Sequence, residues 1–151
     1  MTEKPEVEIV PLSPEDLEIL TPLLKGMGKV DNESEAAARA ESMLEDPHYL
    51  LAVAKMGDGI SGYVWAQNNG PHLRTGEVTA RLHDLFVSPE HRGQNIGRQL
   101  FQFAVEWAKK SNVKYLQWQG SKDATAFYKS LGLEGDTKSD LEEHPFYEME
   151  L

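Results

Sequence analysis

The amino-acid sequence predicts a mixed α/β fold: a twisted, predominantly antiparallel sheet with flanking helices, in the order βααβββαβαββ. Three features carry this expectation. Gly57-Asp58-Gly59 separates two apolar stretches, which reads as a β-hairpin. Ile96, Leu100, Phe103, Ala104, Trp107 and Ala108 recur at helical spacing behind a strand-like run, so a strand feeds an amphipathic helix. Another apolar stretch follows that helix, and a crossover of this length makes the two flanking strands parallel.

The elements follow in order. Residues 7–12 alternate weakly and form a first strand. Ser13-Pro14-Glu15-Asp16 opens a helix, with a serine cap, proline in the first turn and acids behind it. That helix ends near Gly26 or Gly28. Asp31-Asn32 caps a second helix over 33–45, stopped by Asp46-Pro47. The hairpin strands are 49–56 and 60–67, Asn68-Asn69-Gly70-Pro71 breaks the pattern, and 77–87 is a longer strand. A helix spans about 95–111, and 113–119 is expected as a buried parallel strand. A short helix over 123–131 and closing strands at 133–137 and 145–151 complete the chain.

Length 151 suits one domain over residues 1–151, large enough for a proper core. Apolar residues make up 40% and charged residues 26%, which is ordinary for a soluble protein. The first dozen residues hold three glutamates and no apolar stretch, so no secretory signal is expected. No apolar run reaches the roughly 18–20 residues that span a bilayer. The absence of cysteine excludes disulfides, thiolate metal sites and cysteine nucleophiles, and a cytoplasmic location fits. No metal is expected, because the histidines show no ligand spacing. A net charge of −10 argues against nucleic-acid and membrane partners. Against that acidic background, residues 91–130 carry seven Lys or Arg and only two acids. Lys109 and Lys110 complement a helix C-terminus, but Arg92, Arg98 and Lys122 lie beside helix starts, where an anion would sit.

The stretch L-H-D-L-F-V-S-P-E-H-R-G-Q-N-I-G-R-Q-L, residues 82–100, reads as strand, turn, glycine-bearing loop and helix. That order aims unpaired backbone N–H groups and a positive helix end at one spot, which suits a phosphate-rich ligand. A second segment, A-F-Y-K-S-L-G, covers residues 126–132. Together they resemble the GNAT superfamily of N-acetyltransferases, which use acetyl-coenzyme A. The resemblance is strong from about Ala80 to Gly135. The family's loop pattern is matched by Arg92-Gly93-Gln94-Asn95-Ile96-Gly97, with Asn95 where a glycine usually stands. Asparagine enters the left-handed region more readily than other residues with a side chain.

The resemblance implies a set of coenzyme-binding residues. Backbone from Gly93, Gln94, Asn95, Ile96 and Gly97 would hold the pyrophosphate, flanked by Arg92 and Arg98. Leu85, Phe86 and Val87 would lie along the coenzyme arm, with Ser121, Ala124, Phe127 and Tyr128 contributing from the later helix. Ser121 replaces a frequent asparagine there and could cap the helix instead. Tyr128 matches the tyrosine near the coenzyme sulfur and would protonate the leaving thiolate.

Amide formation also needs a neutral amine, and a lysine-like amine at pH 7 costs roughly 4–5 kcal/mol to deprotonate. His83 stands where the polyamine-acetylating branch has a glutamate, in His83-Asp84-Leu85-Phe86-Val87, and its ordinary pKa near 6.5 suits a base. Strand alternation puts His83, Leu85 and Val87 on one face and Asp84, expected as structural, on the other. Backbone N–H near Val87 would support the thioester oxygen. The acceptor, a small-molecule or protein amine, is expected among the first two helices, the loop over 67–77 and the C-terminal strands. Acids Glu33, Glu35, Glu41, Glu45, Glu142, Glu143 and Glu148, with Trp65, would favour a cation there. The enzyme reading is an acetyl-CoA-dependent N-acetyltransferase attacking directly, with homodimer assembly left open. The alternatives are a catalytically silent acyl-CoA-binding module, motivated by Asn95, Ser121 and His83, and a homodimer scaffold that binds no ligand.

Overall fold

The computed structural model describes residues 6–136 and 138–151, which divide into two compact units, one up to Trp118 and one from Gln119. The first unit is a five-stranded sheet in the order β1-β2-β3-β4-β5. Its strands are β1 (Glu8–Pro11), β2 (Tyr49–Met56), β3 (Gly59–Pro71), β4 (Val78–Val87) and β5 (Tyr115–Gln117). All neighbours pair antiparallel except β4 and β5, which are parallel as expected.

Helices α1 (Leu17–Met27) and α2 (Glu33–Leu44) cover one face. They pack with Leu12, Leu51, Val53, Tyr63 and Phe86 into one cluster. Asn32 starts α2 as its sequence suggests, accepting from the Glu35 N–H at 3.0 Å. Ser13 behaves differently: its hydroxyl donates to the nearly buried Asp16 carboxylate at 3.0 Å rather than capping α1. Helix α3 (Ile96–Lys110) covers the other face with Ile96, Leu100, Phe101, Ala104 and Ala108. Fully buried Ala52, Ala54, Val64 and Ala66 line that face and keep it shallow. Gly62 fits the same close packing. A Cβ there would stand 2.6 Å from the Phe86 carbonyl oxygen and 3.0 Å from Leu100. Gly62→Ala must therefore part β3 from β4, at a cost of about 1–3 kcal/mol. Each kcal/mol lowers the thermal midpoint by roughly 2–4 °C in a chain this long. An unchanged midpoint in calorimetry refutes this.

Two strand expectations need correction. β3 runs through Asn68-Asn69-Gly70-Pro71 as a bulge, with Gly70 at φ +76° and its N–H held by the Asn68 side chain at 2.8 Å. β5 is three residues long and largely exposed, because it is a sheet edge with one neighbour.

The second unit holds a 3-10 turn (Lys122–Ala124), helix α4 (Thr125–Ser130) and helix α5 (Lys138–Glu143). Neither closing strand forms among the described residues. Residues 133–136 are irregular and Thr137 lies outside the described residues. Residues 145–151 are unpaired, with Phe146 and Tyr147 more than four-fifths exposed.

Candidate active site

β4 is the spine of the site. β5 pairs with it only over Thr79–Arg81, so residues 82–87 have no strand partner on that side among the described residues. That edge offers backbone donors and acceptors to an extended ligand, as a missing strand would take them. Leu85 and Val87 are half-buried, whereas Phe86 is buried against Tyr63, its ring centroid 6.2 Å away. Only the backbone of Phe86 can therefore serve a ligand.

The edge runs directly into the glycine loop. Ser88 N–H donates to the Ser61 carbonyl at 2.8 Å, which anchors the start of the loop. Arg92 Nε donates to the Val87 carbonyl at 3.0 Å, and its guanidinium lies 5.6 Å from the Phe86 centroid. Arg92 thus ties the loop to the end of β4. Gly93 has φ +80° and Asn95 φ +67°, so Asn95 takes the left-handed position the sequence allotted to it.

The start of α3 is open. Asn95 makes no side-chain capping bond among the described residues, and the first turn, Ile96-Gly97-Arg98-Gln99, contains no acid. The first hydrogen bond of the helix runs from Gln99 N–H to the Asn95 carbonyl, at 3.3 Å. The amides of Ile96, Gly97 and Arg98 consequently have no acceptor within the helix. Their dipoles add to the Arg98 charge, while Gln94 and Arg98 are exposed and Ile96, 1% exposed, contributes backbone only. This donor set fits a diphosphate.

On the α1–α2 face lies a cavity of about 410 Å³. Apolar side chains of both helices line it, with Tyr63, Trp65 and Asp84 from the sheet and Lys29 and Arg39 on the helix side. Asp84 accepts from the buried Tyr63 hydroxyl at 2.8 Å. Burial and the Asp84 charge push the Tyr63 phenol far above its ordinary range, so it stays a donor.

The expectation that Asp84 faces away from His83 is overturned. Trp65 pairs with Asp84 and Ala66 with Leu82, so His83 is the extra residue of a β-bulge. Both side chains then serve the Trp65 face. His83 stacks on Trp65 at 4.3 Å between centroids and its Nε2 lies 3.0 Å from Gln67 Oε1. An amide oxygen only accepts, so Nε2 carries the hydrogen and Nδ1 the lone pair. Burial and Arg81 lower the His83 pKa, opposed by Asp84, which keeps the ring neutral at pH 7.

Of the glutamates expected at the acceptor, Glu33, Glu35, Glu41 and Glu45 do not line this cavity, whose carboxylate is Asp84. Glu33 pairs with Lys25 instead, and Glu35 is exposed at the start of α2.

In the second unit, Ser121 precedes the 3-10 turn and accepts from Ala124 N–H through its carbonyl, at 3.0 Å. Its hydroxyl makes no capping bond among the described residues. Tyr128 is half-buried on α4, its ring 5.1 Å from that of Phe127, and burial raises its pKa. Among the described residues no acidic or histidine cluster could hold a metal, and no helix is long and apolar enough to cross a membrane.

The model of the Acetyltransferase (GNAT) family matches residues 17–133. An uncharacterised N-acetyltransferase of Methanocaldococcus jannaschii is 43% identical over 58 residues, 36% of this chain and 26% of that protein. An N-alpha-acetyltransferase, RimI, of Mycobacterium tuberculosis is 30% identical over 92 residues, 60% of this chain and 56% of that protein. The matched stretches thus span between a quarter and three-fifths of these relatives. An aminoglycoside N-acetyltransferase solved with CoA superposes with a TM-score of 0.82 at 17% identity, covering 100% of this chain and 99% of that one, which shows a shared fold.

Proposed function

Because this chain belongs to the GNAT acetyltransferase family, we propose that it moves an acetyl group from acetyl-CoA to a primary amine. The observation that carries this reading is the continuity of the unpaired β4 edge with the open N-terminus of α3. In this reading Gly93 to Arg98 hold the diphosphate, the backbone of Leu85, Phe86 and Val87 holds the pantetheine arm, and the family resemblance assigns Ser121, Ala124 and Phe127 to the coenzyme as well. Acetyl-CoA supplies an activated thioester acyl group. Asp84 and Trp65 receive the amine in the cavity beside β4. His83 takes the amine proton through water, and Tyr128 gives a proton to the departing thiolate. Backbone N–H near Val87 steadies the thioester oxygen. Attack is direct, with no acetyl-enzyme. The similarity to an N-alpha-acetyltransferase and to an aminoglycoside N-acetyltransferase supports an amine acceptor.

Calorimetry with CoA, followed by thiol release from acetyl-CoA across a panel of amines, tests the reading. No heat and no release sink it, and a trapped acetyl-enzyme sinks direct attack. Arg98→Glu sharpens the test because two effects oppose. An acid in the first turn of α3 favours the helix by about 0.3–1 kcal/mol. The same change forfeits a charge-assisted contact of about 1.5–3 kcal/mol, so CoA affinity falls roughly 10- to 150-fold. The thermal midpoint of the free protein holds or rises. CoA binding at undiminished affinity removes Arg98 from the phosphate site.

A further inference from the structure

Resting on that reading, we infer that the acceptor is an amine that also carries a carboxylate, and that Lys29 selects it. The cavity's polar inventory is lopsided. Its carboxylate, Asp84, already accepts from Tyr63 and is the partner for an incoming ammonium. Donors are in excess: the Lys29 ammonium and the Arg39 guanidinium both line the cavity.

Arg39 is largely answered from outside the cavity, since it pairs with Asp31 at 2.6 Å and a second nitrogen lies 3.5 Å from the other Asp31 oxygen. Lys29, exposed on the segment joining α1 to α2, brings a charge that this pair does not offset. One anion on the sheet side and, on the helix side, one cation with no ion-pair partner among the described residues match a ligand with both charges. The remaining wall is apolar, supplied by residues such as Leu24, Met27 and Met43, and accommodates the methylenes or small side chain between those charges. A simple polyamine would set a second ammonium against Lys29 and Arg39, which like-charge repulsion disfavours.

Paired acceptors that differ only in the carboxylate test this. Lysine is compared with pentane-1,5-diamine, and the dipeptide amide Ala-Glu-NH2 with Ala-Gln-NH2. The first pair reports on free amino acids and the second on peptide N-termini. At least one pair is expected to favour its acidic member tenfold or more in kcat/KM. Lys29→Glu should reverse that preference through KM, while calorimetry shows CoA still bound and the chain folded. Equal rates within both pairs overturn the inference and leave the acetyltransferase reading intact. A Lys29→Glu effect that is the same for both members of each pair does likewise. Bound CoA with no thiol release from any amine overturns the acetyltransferase reading itself, and the acceptor inference with it.

Discussion

Tyr128→Phe is expected to lower kcat by about 10²–10⁴, the range of a positioned general acid, with coenzyme binding little altered. The substitution keeps the ring, and the ring is what packs. It lies edge-on to Phe127, and a Cβ added at Gly120 would come within 3.1 Å of it. The hydroxyl alone is lost, so a folding defect is not anticipated. Burial raises the phenol above its ordinary pKa near 10, which keeps it protonated throughout the neutral range. A tyrosine held that way donates a hydrogen bond to a forming thiolate even where full transfer is uphill. The alkaline side of the rate profile should accordingly show no loss attributable to Tyr128 below about pH 10. Steady-state rates set beside calorimetric CoA affinities check this. Unchanged turnover dismisses Tyr128 from the chemistry, and a matched loss of affinity recasts it as a binding residue.

What the sequence discloses about this molecule is mostly local. The turn at Gly57-Asp58-Gly59 demands a positive φ, which Gly57 supplies at +60°, and the hairpin follows. The apolar stripe of α3 repeats every 3.6 residues, so buried Ile96, Leu100, Ala104 and Ala108 were legible before any fold was known, whereas Phe101 is buried without having been expected and Phe103 and Trp107 are only half-buried. Asn95 belongs with these, because a left-handed turn before a helix is a single-residue preference. Pairing across strands is different. Alternation along β4 separates His83 from Asp84, and only the register with Trp65 and Ala66 reveals the bulge that brings them together. Tyr147, Met149 and Leu151 alternate with glutamates as a strand would, yet alternation names no partner, and none pairs with them among the described residues.

The cavity between α1, α2 and the sheet was not legible from composition. Counting acids across α2 favoured Glu33, Glu35, Glu41 and Glu45, whereas Ala36, Arg39, Ala40 and Met43 line the cavity. Their spacing of three, one and three residues marks a single helical face. Periodicity held that signal; composition concealed it.

His83→Ala is expected to cut kcat/KM by about 10²–10⁴ and to abolish the acidic limb of the rate profile. The sign follows from the surroundings of the ring. Burial, then Arg81, disfavour the imidazolium, and Asp84 offsets them in part, so the folded pKa lies below the ordinary 6.5. A base works when unprotonated, so the limb of the unmodified protein should fall below pH 6.5. Linkage gives the stability counterpart. Just below pH 6.5 the unfolded chain binds more protons at this site than the folded one. Folding stability from His83 is therefore full above that value and declines as the pH falls towards the folded pKa. Gln67→Glu tests the same ring from its other side. A carboxylate in place of the amide beside Nε2 favours the imidazolium and should move the limb upward by about a unit or more. The direction discriminates, because a Gln67 that merely packs against Trp65 would lower turnover without moving the limb. A limb that stays in place in both variants removes His83 as the base and leaves Asp84, the carboxylate that lines the cavity, as the group to replace next.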